Sequence, residues 1–211
     1  MKLYNTVSME AVAEQVIERS KFITYVKPVE TKAEADQFIA EIKKKHRDAT
    51  HNVPAMVIGE KMQIQWASDD GEPQGTSGAP MVMMMVNAGF TNLVVVVTRY
   101  FGGIKLGTGG LARAYTSSAK LGIEAACPCE VWEQACLTFS FDYTFLAKIQ
   151  NMAGELYQIL DIRYTDVVEA DLACDPDKTA ELQGFMTNLT QGKCILKNEE
   201  IRLVKKSLEN F

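Results

Sequence analysis

The stretch LVVVVTRYFGGIKLGTGGLAR, residues 93–113, decides how the rest of the chain is read. Leu93 to Thr98 contains four consecutive valines and no polar face, the pattern of a strand buried on both sides. Beyond it the chain turns glycine-dense: five of its fourteen glycines fall between Gly102 and Gly110. A helical pattern then runs from about Gly110 to Ala125. Strand, glycine loop and helix in that order bring free backbone N–H groups and the positive end of a helix to one place. Anions bind at such places, phosphates above all.

Charge supports the same reading. From Pro73 to Ile123 there is no Asp or Glu, while Arg99, Lys105, Arg113 and Lys120 supply four positive charges. Thr108, Thr116 and Ser117 add hydroxyl donors, and Tyr100 and Phe101 are candidates for stacking on a base or ribose. The expected nucleic-acid or phosphate-binding set is therefore Arg99, Tyr100, Gly102, Gly103, Lys105, Gly107, Thr108, Gly109, Gly110 and Arg113. A structural role stands beside this: the loop would let a helix pack closely on a sheet, with Tyr100 and Phe101 in the core. Arg99 would then belong to a core salt bridge rather than to a ligand contact. No standard nucleotide fingerprint fits. The lysine and hydroxyl of a P-loop are not in order, and Gly107, Gly109 and Ala112 match G-x-G-x-x-A only with residues 99–106 intervening after the strand.

A second constellation lies at residues 68–80, SDDGEPQGTSGAP. Asp69, Asp70 and Glu72 cluster on a turn, and Ser68, Thr76 and Ser77 add hydroxyls, with His51 a possible companion. Paired carboxylates hold Mg²⁺ or act as acid and base. They serve equally as a solvated turn leading to a helix cap, for which Ser77 ahead of Pro80 is suited. No cofactor is expected, with Mg²⁺ at Asp69 and Asp70 the one option left open. A triad of His51, Asp69 and Ser77 has no support in the spacing. His46 and His51, the two histidines, are expected to line a surface or cap an element rather than to act as bases.

Around these stretches the chain divides near residue 132, where residues 126–135 read as a boundary: residues 1–132 form one domain and 133–211 another. In the first, residues 20–29 read as a strand and residues 9–17 as helix or bent strand. Thr31 and Glu34 open a helix to Lys45 with Ala35, Phe38, Ile39 and Ile42 as its buried stripe. Strands follow at 50–58 and 62–67, then a helix from Pro80 to Gly89. Its methionines Met81, Met83, Met84 and Met85 read as buried nearly all round. In the second part, strands at 137–142, 157–164, 167–174 and 194–204 alternate with helices at 144–153 and 177–190. That order, β-α-β-β-α-β, is ferredoxin-like within an α+β class.

Bulk properties narrow the function. Residues 1–132 hold 14 basic and 14 acidic side chains, whereas the remainder holds 8 and 13 and carries the net charge of −5. An acidic C-terminal part is a poor general binder of nucleic acid, so RNA contact must be local, and no DNA sequence specificity is expected. Five cysteines without a C-x-x-C pair read as reduced thiols. No apolar stretch reaches the roughly 20 residues of a membrane helix, and the N-terminus lacks a secretory pattern. A cytoplasmic location with no membrane partner is expected.

Ser20-Lys21-Phe22, residues 48–52 (DATHN), residues 68–73 with Gly75-Thr76, and above all RYFGG at 99–103 followed by LGTGGL at 106–111 resemble the IMPACT family, whose bacterial branch includes the YigZ-type proteins. The resemblance covers about residues 10–125. It implies an N-terminal domain like the second domain of ribosomal protein S5 and a C-terminal one resembling a domain of elongation factor G. It implies a role in translation regulation but no catalytic residues. The leading expectation is a cytosolic, non-enzymatic factor whose partner is the ribosome, RNA or a translation-associated protein. Two others stand beside it: an enzyme acting on a phosphorylated small molecule or nucleotide, and a protein–protein interaction module.

Overall fold

A computed structural model describes residues 1–208, and the chain forms two compact units. The larger holds Leu3–Val131 with residues 205–208; the smaller holds Trp132–Val204 with Met1–Lys2.

In the larger unit the elements are β1 (Lys2–Val7), β2 (Ala11–Ile17), β3 (Ser20–Pro28), α1 (Lys32–Lys45), β4 (His51–Ile58), β5 (Ile64–Ala67), α2 (Gly78–Asn87), β6 (Leu93–Tyr100) and α3 (Gly107–Ala125). The sheet has the order β2-β3-β6-β4-β5, and each neighbouring pair is antiparallel. Because β3 and β4 both oppose β6, they run in the same direction, with α1 connecting them.

The valine run explains the layering. Val94 and Val96 join Phe38, Ile39 and Ile42 of α1, whereas Val95 and Val97 join Met81 and Met85 of α2 and Leu111, Tyr115 and Ile123 of α3. All four valines are fully buried, each contributing about 1.5 kcal/mol or more. Helix α1 starts as its residues predict: Thr31 Oγ1 accepts the Glu34 N–H at 3.3 Å, and the Glu34 carboxylate accepts the Glu30 N–H at 2.9 Å.

Pro54 shapes the region that follows. Its carbonyl accepts from Ser68 N at 3.2 Å, but the ring nitrogen cannot donate in return. The β4–β5 ladder therefore ends at Ala55 and Ala67, and the chain leaves the sheet into the turn of residues 68–77.

In the smaller unit, β7 (Pro128–Phe141) leads through a 3₁₀ turn to α4 (Leu146–Asn151), β8 (Gln158–Tyr164), β9 (Val168–Cys174), a second 3₁₀ turn, α5 (Thr179–Leu189) and β10 (Ile195–Ser207). The strand order is β10-β7-β9-β8. Leu137, Phe139, Ile149, Tyr157, Leu172, Leu182 and Met186 form its core. The chain is thus a mixed α and β protein with antiparallel sheets in two units.

Several elements differ from expectation. β1 has no counterpart in the sequence reading; it is fastened by Asn5, whose N–H reaches Gly89 O and whose Nδ2 reaches Ala88 O. Residues 9–17 resolve as β2. Residues 128–135, read as a boundary, belong to β7, with Cys129 and Val131 buried on alternate positions. Helix α2 is not buried all round: Met81 and Met85 are fully enclosed, but Met83 is 63% exposed. No helix among the described residues is long and apolar enough to cross a membrane.

Candidate functional site

Strand β6 runs two residues beyond the 93–98 read from its sequence, and this decides where Arg99 goes. Alternation places Arg99 on the face of Val95 and Val97, towards α2 and α3. It is only 4% exposed. Its Nη1 donates to Glu72 Oε1 at 2.6 Å and its Nη2 to Ser20 Oγ at 3.2 Å. The guanidinium carbon lies 5.5 Å from the Phe22 ring centroid and 5.4 Å from that of Phe101. Its Nε, also buried, has no hydrogen-bond partner among the described residues.

Glu72 is the hinge between the two sequence constellations. Its Oε1 also accepts from the Tyr115 hydroxyl at 2.8 Å, and its Oε2 lies 3.7 Å from His51 Nε2. Burial, and then the Glu72 charge, push the Tyr115 hydroxyl far above its ordinary pKa, so it remains a donor. His51 Nδ1 lies 2.8 Å from the Asp70 carbonyl, which can only accept, so Nδ1 carries the proton.

The three acidic residues do three separate tasks. Asp70 accepts from Lys43 Nζ at 2.5 Å and from Asn52 N at 2.6 Å. Asp69 accepts from Gly75 N, Ser77 N, Ser77 Oγ and Gly78 N at 2.6–3.1 Å. Burial pushes the Asp69 carboxyl up, but these donors outweigh it and hold it below the ordinary value. Ser77 occupies the N-cap position of α2 but does not cap with its own oxygen; Asp69 supplies the acceptor instead. Ser68 Oγ accepts from Asp70 N at 3.2 Å, and Thr76 Oγ1 donates to Pro73 O at 2.6 Å. Among the described residues no three His, Cys, Asp or Glu side chains are placed to share a metal ion.

The glycine loop is residues 101–106, shorter than the sequence indicates. A Cβ at Gly102 would meet the backbone of Arg19 at 2.0 Å, so the close approach there is to the β2–β3 turn. Gly107 has φ of +71°, which favours glycine. Gly103 and Gly109 have open space around their Cβ positions. Lys105 and Arg113 are exposed. Helix α3 begins at Gly107 rather than Gly110; Leu106 at its N-cap offers no side-chain acceptor, and its first turn holds no acid. A Cβ at Gly110 would meet Leu106 Cβ at 3.1 Å.

Two depressions flank the loop. One of about 340 Å³ is walled by Arg99, Glu72, Phe101, Lys105, Thr108 and Leu111, among others. The other, of about 490 Å³, is bordered by Glu18, Lys105, Arg113 and Ser117. Tyr100 faces elsewhere. Its hydroxyl lies 2.8 Å from His46 Nδ1 and donates to Asp48 Oδ1 at 3.2 Å, while Tyr25 Oη lies 2.6 Å from His46 Nε2. Burial, and secondarily the Lys45 charge, lower the His46 pKa below its ordinary value.

Sequence reasoning overlooked Ser20, Thr50 and Tyr115 as contributors. Tyr115 follows Leu111 at helical spacing, which marks it as buried. Its hydroxyl requires a partner there, and that requirement was the available signal.

Residues 18–123 match the Impact N-terminal domain, and residues 139–193 match a domain of unknown function, DUF1949. IMPACT family member YvyE of Bacillus subtilis (strain 168) is 42% identical over 209 residues, spanning 99% of this chain and 96% of that protein. IMPACT family member YigZ of Escherichia coli (strain K12) is 31% identical over 179 residues, covering 83% and 88%. A solved structure described as a crystal structure of an hypothetical protein aligns with a TM-score of 0.58 at 28% identity, covering 93% of this chain and 97% of that one. With residues 18–123 matched by the Impact N-terminal domain and 99% of its length by the Bacillus subtilis relative, the chain belongs to the IMPACT family.

Proposed function

We propose that this protein is a cytoplasmic factor acting in translation or its regulation, contacting RNA through the surface around the glycine loop. The observation that carries the reading is the grouping of exposed Lys105, just ahead of the uncapped start of α3, with exposed Arg113 further along that helix around one depression, within a segment free of acidic residues. Sequence-independent affinity for RNA comes from such cations and from helix N-termini that meet phosphates. Arg99 leaves the contact set, because its charge is already matched by Glu72.

The architecture is consistent with a translation role. The β10-β7-β9-β8 order with α4 and α5 in the connections supports a ferredoxin-like reading of the smaller unit. The sheet of the larger unit, with α1 on one face and α2 and α3 on the other, supports the ribosomal protein S5 domain 2-like reading.

The test is binding of isolated ribosomal subunits and a structured RNA across a salt series. The expected result is affinity that falls with salt, with the slope reduced by about one for each lost phosphate contact in Lys105→Ala and Arg113→Ala. Absence of binding, or equal slopes in wild type and the double variant, refutes the reading.

A further inference from the structure

We propose that two copies of this chain pair edge to edge through strand β10, antiparallel across a two-fold axis at Ile201.

β10 is 13 residues long and contains no proline or glycine. Among the described residues it has β7 on one side and no strand on the other. A long edge of this kind is a template for another strand. The far edge of the same sheet is blunted, because β8 breaks register between Ile159 and Asp161. The outer strands of the larger unit offer less: β5 has four residues, and Glu14 sits at the middle of β2.

Two neighbours fix how β10 faces. Glu199 Oε2 accepts from Gln183 Nε2 of α5 at 2.9 Å. Glu199, and by alternation Ile201 and Leu203, therefore lie on the helix side of the sheet. Glu200 and Arg202 lie on the other side with Cys136, whose thiol is pushed up by burial and also feels both of their charges. Cys136 alternates with Leu137 of the core, so the two placements agree. Ile201 and Leu203 thus stand on the side of the core, yet they are 53% and 57% exposed. They extend the apolar layer beyond the reach of α5.

Charge complementarity selects a second copy as the occupant. With the two-fold axis at Ile201, that residue faces its own counterpart, and Glu200 faces Arg202 of the second copy, twice. Within each copy Arg202 already donates to Glu200, so the four side chains form a square of alternating charge. On the core side the two Ile201 side chains meet, with Leu203 on the diagonal. Glu199, opposite Leu203, stays turned towards Gln183.

Other registers fit less well. An axis one residue earlier sets Glu200 opposite itself, and one residue later sets Arg202 opposite itself, both repulsive. An axis at Asn198 pairs Lys197 with Glu199 but carries Leu203 past the start of the facing strand at Ile195. The register at Ile201 has one cost, Lys197 opposite Lys205, and both of these side chains are exposed to water.

The experiment is sedimentation velocity of the full chain over a concentration series. Residues 198–204 make a contact of the small, transient class, so the series extends to about 500 µM. Wild type should pass from monomer to dimer as concentration rises. Glu200→Arg alone sets arginine against arginine, and Arg202→Glu alone sets glutamate against glutamate; each should weaken association about tenfold. Mixed in equal amounts, these two variants should associate with each other as wild type does, because every facing pair is again complementary. The double exchange Glu200→Arg/Arg202→Glu should likewise self-associate, and it keeps the ion pair within the strand, which controls for folding. Ile201→Lys should abolish the dimer by setting lysine opposite lysine at the axis. A wild type that stays monomeric throughout the series overturns the proposal. So does a dimer indifferent to the single variants, or a double exchange that melts as wild type does and fails to associate.

Discussion

Arg99 Nη1 donates to Glu72 Oε1 across 2.6 Å, and the two side chains are only 5% and 4% exposed. Twenty-seven residues of sequence separate them, yet each is the other's principal counter-charge in an apolar setting. Such a pair adds little net stability when intact, because both ions have lost their water. It is costly to break, because the survivor is then stranded.

Arg99→Ala is accordingly expected to lower stability by about 3–5 kcal/mol in chemical denaturation. Adding Glu72→Gln to that variant should recover part of the loss by removing the stranded charge. A cost below about 1 kcal/mol for Arg99→Ala would contradict the buried pairing.

Gly102 in the loop and Gly109 in the first turn of α3 should respond in opposite senses. Gly102→Ala drives a methyl into the Arg19 backbone, which cannot yield as a side-chain tip can, and should cost about 1–3 kcal/mol. Gly109→Ala meets open space on a helix and should stabilise by about 0.5–1 kcal/mol. Thermal melts of the two variants beside wild type decide the matter.

Asp69→Asn should cost about 1–2 kcal/mol through the loss of the α2 cap. The folded-state pKa of Asp69 is lowered from 3.8, so its contribution is complete above that value and disappears as pH falls through the folded pKa. Stability measured from pH 6 downward should therefore decline less steeply in Asp69→Asn than in wild type.

His46 works in the other direction along the pH axis. Its folded pKa lies below 6.5, so the unfolded chain takes up the proton first. Stability should be indifferent to this group above pH 6.5 and fall as pH drops from there through the folded pKa. Imidazole NMR shifts should report a ring more than half neutral at pH 6.5, and His46→Gln should remove that segment of the pH dependence.

In the smaller unit, the Arg163 guanidinium donates to both Asp171 oxygens, at 2.8 and 2.9 Å, and holds that carboxyl down at about 2. Carboxyl NMR titration should find Asp171 ionised throughout the range where ordinary aspartates titrate. Arg163→Ala should return its midpoint towards 3.8.

Local chemistry was legible in the sequence where the cause is local. The valine run announces burial on both faces, and Thr31 with Glu34 announces a helix start. β2 was ambiguous because Val12 and Val16 have helical spacing, while the hairpin that fixes it turns at Glu18 and Arg19, both with positive φ and neither a glycine. β1 is held by Asn5 against residues 88–92, a partner no local pattern reveals. The acid-free run exposed the basic character of the loop, but strand parity continuing past Val97 turned Arg99 inward. Its partner Glu72 sits on a turn that reads as solvated. Cap identity failed for a similar reason: Ser77 has the right place, yet Asp69 reaches it from eight residues earlier.

Ser20 Oγ accepts from both Arg99 Nη2 and Gly102 N, each at 3.2 Å, while Gly102 lies flush on the backbone of Arg19. The β2–β3 hairpin thereby splints the first half of the glycine loop from more than eighty residues away. If the surface at the start of α3 is a binding site as proposed, this half of the loop is fixed before a ligand arrives. Binding at that surface would then follow a single phase set by encounter, with no slow rearrangement of residues 101–103 behind it.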